Sequence, residues 1–204
     1  MQTNNNIILK VSSLSKSFDN GKTFTPHNVN FELTDNDRLL FIIGKNGQGK
    51  TVLLKLLTRE ESNHTGEITY CKDLFNDLTI QYQNEGLIPN LTILDNLKIV
   101  CKDENNIKLA LKELNVPEEI LIKRGFNLSG GEQRQIQLTR SMLSGRKIWI
   151  CDEPTASLDK NMTLLFIEYI AKSIQDKQFI IISHDDFFIR ELKQKISNYK
   201  EIYL

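Results

Sequence analysis

The run Gly44-Lys45-Asn46-Gly47-Gln48-Gly49-Lys50-Thr51 has a glycine, four residues, then Gly-Lys-Thr, which is the spacing of a phosphate-binding loop. Glycines let the backbone curl until consecutive N–H groups and a helix N-terminus face the β- and γ-phosphates of a nucleotide. Lys50 then supplies a point charge and the Thr51 hydroxyl a Mg²⁺ ligand. Such a loop leaves kinases, GTPases and motor ATPases open, so a second acidic site has to discriminate. Ile148-Trp149-Ile150-Cys151 is an apolar strand that delivers two adjacent carboxylates, Asp152 and Glu153. With that strand expected next to the strand of the loop, Asp152 is placed to hold Mg²⁺ through water and Glu153 to polarise an attacking water.

Six further residues, Leu128-Ser129-Gly130-Gly131-Glu132-Gln133, resemble the signature motif of ATP-binding cassette (ABC) ATPases. Other segments resemble the family in its own order, from Leu14 to about Asp185. Asp152-Glu153-Pro154-Thr155 and Ala156-Ser157-Leu158-Asp159 look like its Walker B motif and D-loop. Gln83, ahead of Leu87-Ile88-Pro89, is similar to the Q-loop glutamine, and Gln81 two residues earlier is a rival for that place. His184 is similar to the switch histidine, and Phe18 lies where the family stacks an aromatic on adenine, although a lone Phe is also an ordinary core residue.

The resemblance implies ATP contacts from Phe18, Gly44, Asn46, Gly47, Gly49, Lys50, Thr51 and Val52. It implies Mg²⁺ contacts from Thr51, Gln83 and Asp152, and catalytic roles for Glu153, His184 and Gln83. Ser129, Gly130, Gly131 and Asp159 would complete the site of an opposing chain, a second copy or a paralogous cassette, in a head-to-tail dimer. Ser129 also reads as a helix N-cap, and the two roles are compatible. Departures from the pattern are Val52, where Ser or Thr is common and a hydroxyl contact is lost, Lys45 and Gln48 within the loop, and Gln135, where Arg is common.

These groups need elements to hold them. Ile7 to Val11, Val29 to Leu33 and Arg38 to Ile43 read as strands, with a turn signal at Asp19-Asn20-Gly21-Lys22. Val52, Leu53, Leu56 and Leu57 recur at helical spacing. Glu67 to Tyr70 and Thr79 to Tyr82 read as short strands, Ile93 to Asn115 as helical, and Gly131 to Leu143 as a helix leading into the Ile148 strand. Met162 to Ile174 follows as a helix, Phe179 to Ile182 as a buried strand and Asn198 to Leu204 as an edge strand. The expected fold class is α/β, a P-loop NTPase core with a mostly parallel sheet, an N-terminal antiparallel β part and a small helical subdomain at about 84–145, all in one domain over 1–204.

The 204 residues are 40% hydrophobic and carry 26 basic and 26 acidic side chains, so no chain-wide field exists to draw nucleic acid, and none is expected as a partner. No apolar stretch approaches the ~20 residues that span a bilayer, and the first six residues do not read as a secretory signal. Cys71, Cys101 and Cys151 fit neither a disulfide framework nor a zinc site. The expectation is a cytoplasmic protein, peripheral on the membrane, that hydrolyses ATP to power membrane-spanning permease subunits. A cassette that signals through a membrane partner, or a soluble ABC protein, stays open.

Overall fold

Strands that must be covered on both faces need apolar side chains at successive positions, and three segments have them: β3 (Leu39–Ile43), β6 (Ile148–Asp152) and β7 (Gln178–Ser183) are buried almost throughout. A computed structural model describes residues 6–19, 23, 25–71, 73–82 and 86–204. In it these strands form a five-stranded parallel sheet with β5 (Leu78–Gln81) and β8 (Lys200–Tyr203), in the order β5-β6-β7-β3-β8. Because side chains alternate between faces, Leu39, Phe41, Trp149, Cys151, Phe179 and Ile181 enter one core. Leu40, Ile42, Ile150, Ile180 and Ile182 enter the other.

The second core is closed by α1 (Lys50–Leu57), through Leu53, Leu54, Leu56 and Leu57, and by an antiparallel sheet in the order β2-β1-β4. Its strands are β1 (Ile7–Ser15), β2 (Val29–Thr34) and β4 (Thr65–Tyr70). The first core is closed by five helices: α2 (Ile93–Lys98), α3 (Glu104–Glu113), α4 (Gly130–Leu143), α5 (Lys160–Ser173) and α6 (Asp186–Lys195). Ile93, Leu97, Ile107 and Leu111 belong to the same contiguous cluster as Trp149 and Phe166. The helices after β5 are thereby fastened to the sheet rather than to a core of their own.

Three expectations change. The helical spacing from Ile93 to Asn115 is two helices, because the Asp103 side chain accepts from the Asn105 N–H at 2.9 Å and starts α3 afresh. α6 was not foreseen, although Asp185 caps it and Phe188, Ile189 and Leu192 lie on its buried side. Most consequential, β6 does not adjoin β3: β7 pairs with both and lies between them. Asp152 reaches the loop region through α1 instead, where the Thr51 hydroxyl donates to its Oδ2 at 3.3 Å. In the turn signal after β1, residues 20–22 lie outside the described residues.

Candidate functional site

The loop after β3 turns into α1 through two left-handed glycines, Gly47 at φ 84° and Gly49 at φ 89°. Any side chain at Gly49 would also put its Cβ 2.8 Å from the Pro26 nitrogen. Gln48 braces the loop from within, its Oε1 accepting from the Lys45 N–H and lying 3.1 Å from where a Cβ on Gly44 would stand. The first turn of α1 has no side-chain cap and no acidic residue, so its unpaired N–H groups and positive end remain available to an anion.

That end opens into a cleft of about 470 Å³. It is lined by Asn46, Gly47, Gly49, Lys50, Thr51 and Val52 from the loop and α1, and by Asp152, Glu153 and His184 from the ends of β6 and β7. Phe18 and Thr25 stand at its rim. A hollow of about 580 Å³ along α3 is larger, but its charged lining is Lys112 and the exposed surface pair Lys108–Glu118 at 3.0 Å. Chemistry rather than size therefore selects the first cleft.

Lys50 is 7% exposed. Its ammonium donates to the Gly44 carbonyl at 2.8 Å and the Lys45 carbonyl at 3.3 Å, and lies 3.4 Å from Glu153 Oε1. Glu153 receives more than the lysine. His184 Nδ1 is 2.5 Å from its Oε1, while the Ser183 hydroxyl at 3.2 Å and the His184 N–H at 3.4 Å donate to Oε2. A carboxylate held from four directions is aimed, not free to swing.

Asp152 is different. Its Oδ1 is buried with no hydrogen-bond partner among the described residues, and burial, with the Glu153 charge second, pushes its carboxyl above the usual carboxylate range. A buried, unpartnered oxygen beside a hydroxyl suits a small hard cation that keeps water and phosphate as its other ligands. Among the described residues there is no cluster of three or more His, Cys, Asp or Glu suited to a metal.

Phe18 is 68% exposed, so it is not a core residue, and Lys16 Nζ stands 5.1 Å from its ring centroid. Val52 packs its methyl groups against the core under β3 while lining the cleft. Gln83 lies outside the described residues. Its rival Gln81 is fully buried at the end of β5, with neither side-chain polar atom paired among the described residues, and does not line the cleft. Ser129, Gly130, Gly131 and Asp159 do not line it either. Ser129 caps α4 and is exposed, and a Cβ on Gly131 would lie 3.8 Å from the Ser157 carbonyl. Asp159 caps α5, accepting from the Met162 N–H at 2.8 Å. Two supporting residues were not foreseen. Ser183 is legible in hindsight as the last residue of an apolar strand before His184, and Arg134 on α4 donates to the Glu153 carbonyl.

A family model described as ABC transporter matches residues 26–156, well over half of the chain. The chain belongs to the ABC transporter ATP-binding family. A putative hemin import ATP-binding protein HrtA of Staphylococcus epidermidis is 32% identical, over 87% of this chain and 90% of its own length. A lipoprotein-releasing system ATP-binding protein LolD of Buchnera aphidicola is 32% identical over 92% of both. In fold, this ABC cassette superposes on the dimeric structure of MJ0796, titled a bacterial ABC transporter cassette, with a TM-score of 0.79 at 21% identity, covering 97% of this chain and 94% of that one. The ABC chain is the ATP-binding subunit of a transporter, an ATPase whose hydrolysis is coupled to transport.

Proposed function

We propose that this subunit binds ATP with Mg²⁺ in the cleft over α1 and hydrolyses it in a head-to-tail dimer, where the partner's signature segment closes over the γ-phosphate. The observation that carries this reading is a division of the site. Lys50, Thr51, Asp152, Glu153 and His184 converge on one cleft, while Ser129, Gly130 and Gly131 lie outside it on an exposed helix start. An exposed helix start that does not line its own chain's cleft supports a second chain as the place it acts.

Thr51 and Asp152 would hold Mg²⁺, which when bound neutralises charge on the β- and γ-phosphates. Lys50 exchanges its loop carbonyls and Glu153 for phosphate oxygens. Glu153, released from the lysine but still held by Ser183 and His184, accepts a hydrogen bond from the attacking water and orients it. His184, 53% exposed at its side chain, is free to reach the γ-phosphate as well as Glu153. Phe18 covers the adenine and Gln83 reports to the permease side.

No helix among the described residues is long and apolar enough to cross a membrane, and membership of the ABC transporter family supports separate membrane-spanning permease subunits as partners at the cytoplasmic face. Relatives named for hemin, lipoprotein, spermidine/putrescine and tungstate share the cassette, so we assign the choice of cargo to those subunits. The test is Glu153→Gln. It should abolish turnover and accumulate an ATP-bound dimer on size-exclusion chromatography. A variant that stays monomeric with ATP, or hydrolyses at the wild-type rate, would show that another carboxylate carries the reaction.

A further inference from the structure

Arg134 is 3% exposed on the second turn of α4, and its planar head joins three separate pieces of chain. Nε donates to the Pro154 carbonyl at 3.2 Å and Nη2 to the Glu153 carbonyl at 2.9 Å. Nη1 donates to the Tyr82 carbonyl at 2.9 Å and to Gln137 Oε1 at 3.1 Å. Tyr82 immediately precedes Gln83. Glu153 itself has a left-handed backbone, φ 46°, a conformation that few residues other than glycine adopt and that persists only when its surroundings impose it. Its N–H is committed to the Ile182 carbonyl at 2.8 Å, and its own carbonyl also accepts from Ala156 at 3.1 Å. The strained residue is thus clamped at both ends, and the guanidinium is the side-chain part of that clamp.

The position matters. One residue on a helix is a rotation of about 100°, and Gln135 is only part-buried, away from the direction in which Arg134 reaches. We propose that Arg134 is a positioning residue for hydrolysis: it holds the left-handed turn at Glu153, so aiming that carboxylate, and yokes the turn to the segment that enters Gln83. This rests on the reading of Glu153 as the group that orients water.

The test uses the full-length chain, with single-turnover ATP hydrolysis and ATP affinity measured for Arg134→Gln, Arg134→Lys, Glu153→Gln and the Arg134→Gln/Glu153→Gln double variant, each normalised to nucleotide-competent protein. Arg134→Gln should slow hydrolysis by about 100-fold, the order expected when a reacting group is displaced by an ångström, with ATP affinity changed by no more than about twofold. Arg134→Lys should recover part of the rate, because an ammonium replaces one or two of the carbonyl bonds but not the fork. In the Glu153→Gln background, where only the residual single-turnover rate over long incubation is read, Arg134→Gln should cost nothing further. If Arg134→Gln does not fold, the Arg134→Lys pair of measurements decides by the same criteria. An unchanged rate in the Arg134 variants alongside a dead Glu153→Gln would overturn this inference and leave the Glu153 reading standing. Losses that add in the double variant, or that fall equally on affinity and rate, would reduce Arg134 to a scaffold residue. A Glu153→Gln chain that turns over normally would remove the Glu153 reading and this inference with it.

Discussion

Lys50 has two sets of partners, and that makes its removal informative. Its ammonium is held by two carbonyls of its own loop and by Glu153, so the loop is organised around that charge. Lys50→Ala should weaken ATP binding by roughly 1.5–3 kcal/mol, the range for a hydrogen bond to a charged group, and abolish hydrolysis. Calorimetric titration with ATP checks the first part, and unchanged affinity would mean the phosphates lie elsewhere. Phe18 is the complementary case. Its ring is mostly in water, so Phe18→Ala should leave the melting temperature unchanged while weakening ATP by about 1–3 kcal/mol, the value of a base stacked on an aromatic. A fall in melting temperature with intact affinity would return the ring to a structural role.

At the scale of elements, the start of α4 carries a device with a pH signature. The Ser129 N–H donates to Glu132 Oε2 at 2.8 Å, the Glu132 N–H to Ser129 Oγ at 3.3 Å, and Lys123 Nζ to Glu132 Oε1 at 2.8 Å. This capping box lies on the same exposed turn as the signature glycines. The bond from Lys123 first, then the Ser129 N–H, pushes the Glu132 carboxyl from its ordinary 4.5 down to about 2. A depressed acid stabilises the fold above its unfolded value and loses that contribution as pH falls through the folded one. Glu132→Gln should therefore be less stable than wild type by about 1 kcal/mol at neutral pH, the usual worth of a cap. The gap should close between about pH 4.5 and pH 2. Urea midpoints of both proteins across that window check it, and a gap that widens on acidification would reverse the sign of the argument.

For the whole molecule, a site divided between chains predicts rescue between two dead variants. Lys50→Ala lacks its own phosphate site but offers an intact signature segment. Ser129→Arg has the reverse defect, and a long cation at a half-open helix start should block closure. In a mixed dimer, the intact loop of the second chain faces the intact signature of the first, so one complete site is rebuilt, whereas neither homodimer has any. Hydrolysis or trapped nucleotide should reappear in the mixture. A heterodimer of wild type with a chain carrying both changes has no complete site and should stay silent. Differentially tagged chains separate the species, and a Ser129→Arg homodimer at full activity would end the shared-site account.

Local chemistry was legible from residue order alone wherever the signal lies within a few positions. The Gly44 to Thr51 loop, the carboxylate pair after Ile148, the Ser129 cap and the parallel strands are all short-range patterns, because turn geometry, capping and side-chain alternation are set by neighbours in the chain. The rest depended on partners far apart in sequence. That β7 separates β6 from β3, so that Asp152 meets Thr51 across 101 positions through α1, is a matter of strand order, which alternation does not encode. Likewise no local pattern shows that Ser183 and His184 brace Glu153, or that Phe18 is exposed and not core. The bonds of Arg134 to Tyr82, Gln137, Glu153 and Pro154 make the same point, since a buried guanidinium has to find its acceptors in whatever the packed core brings beside it.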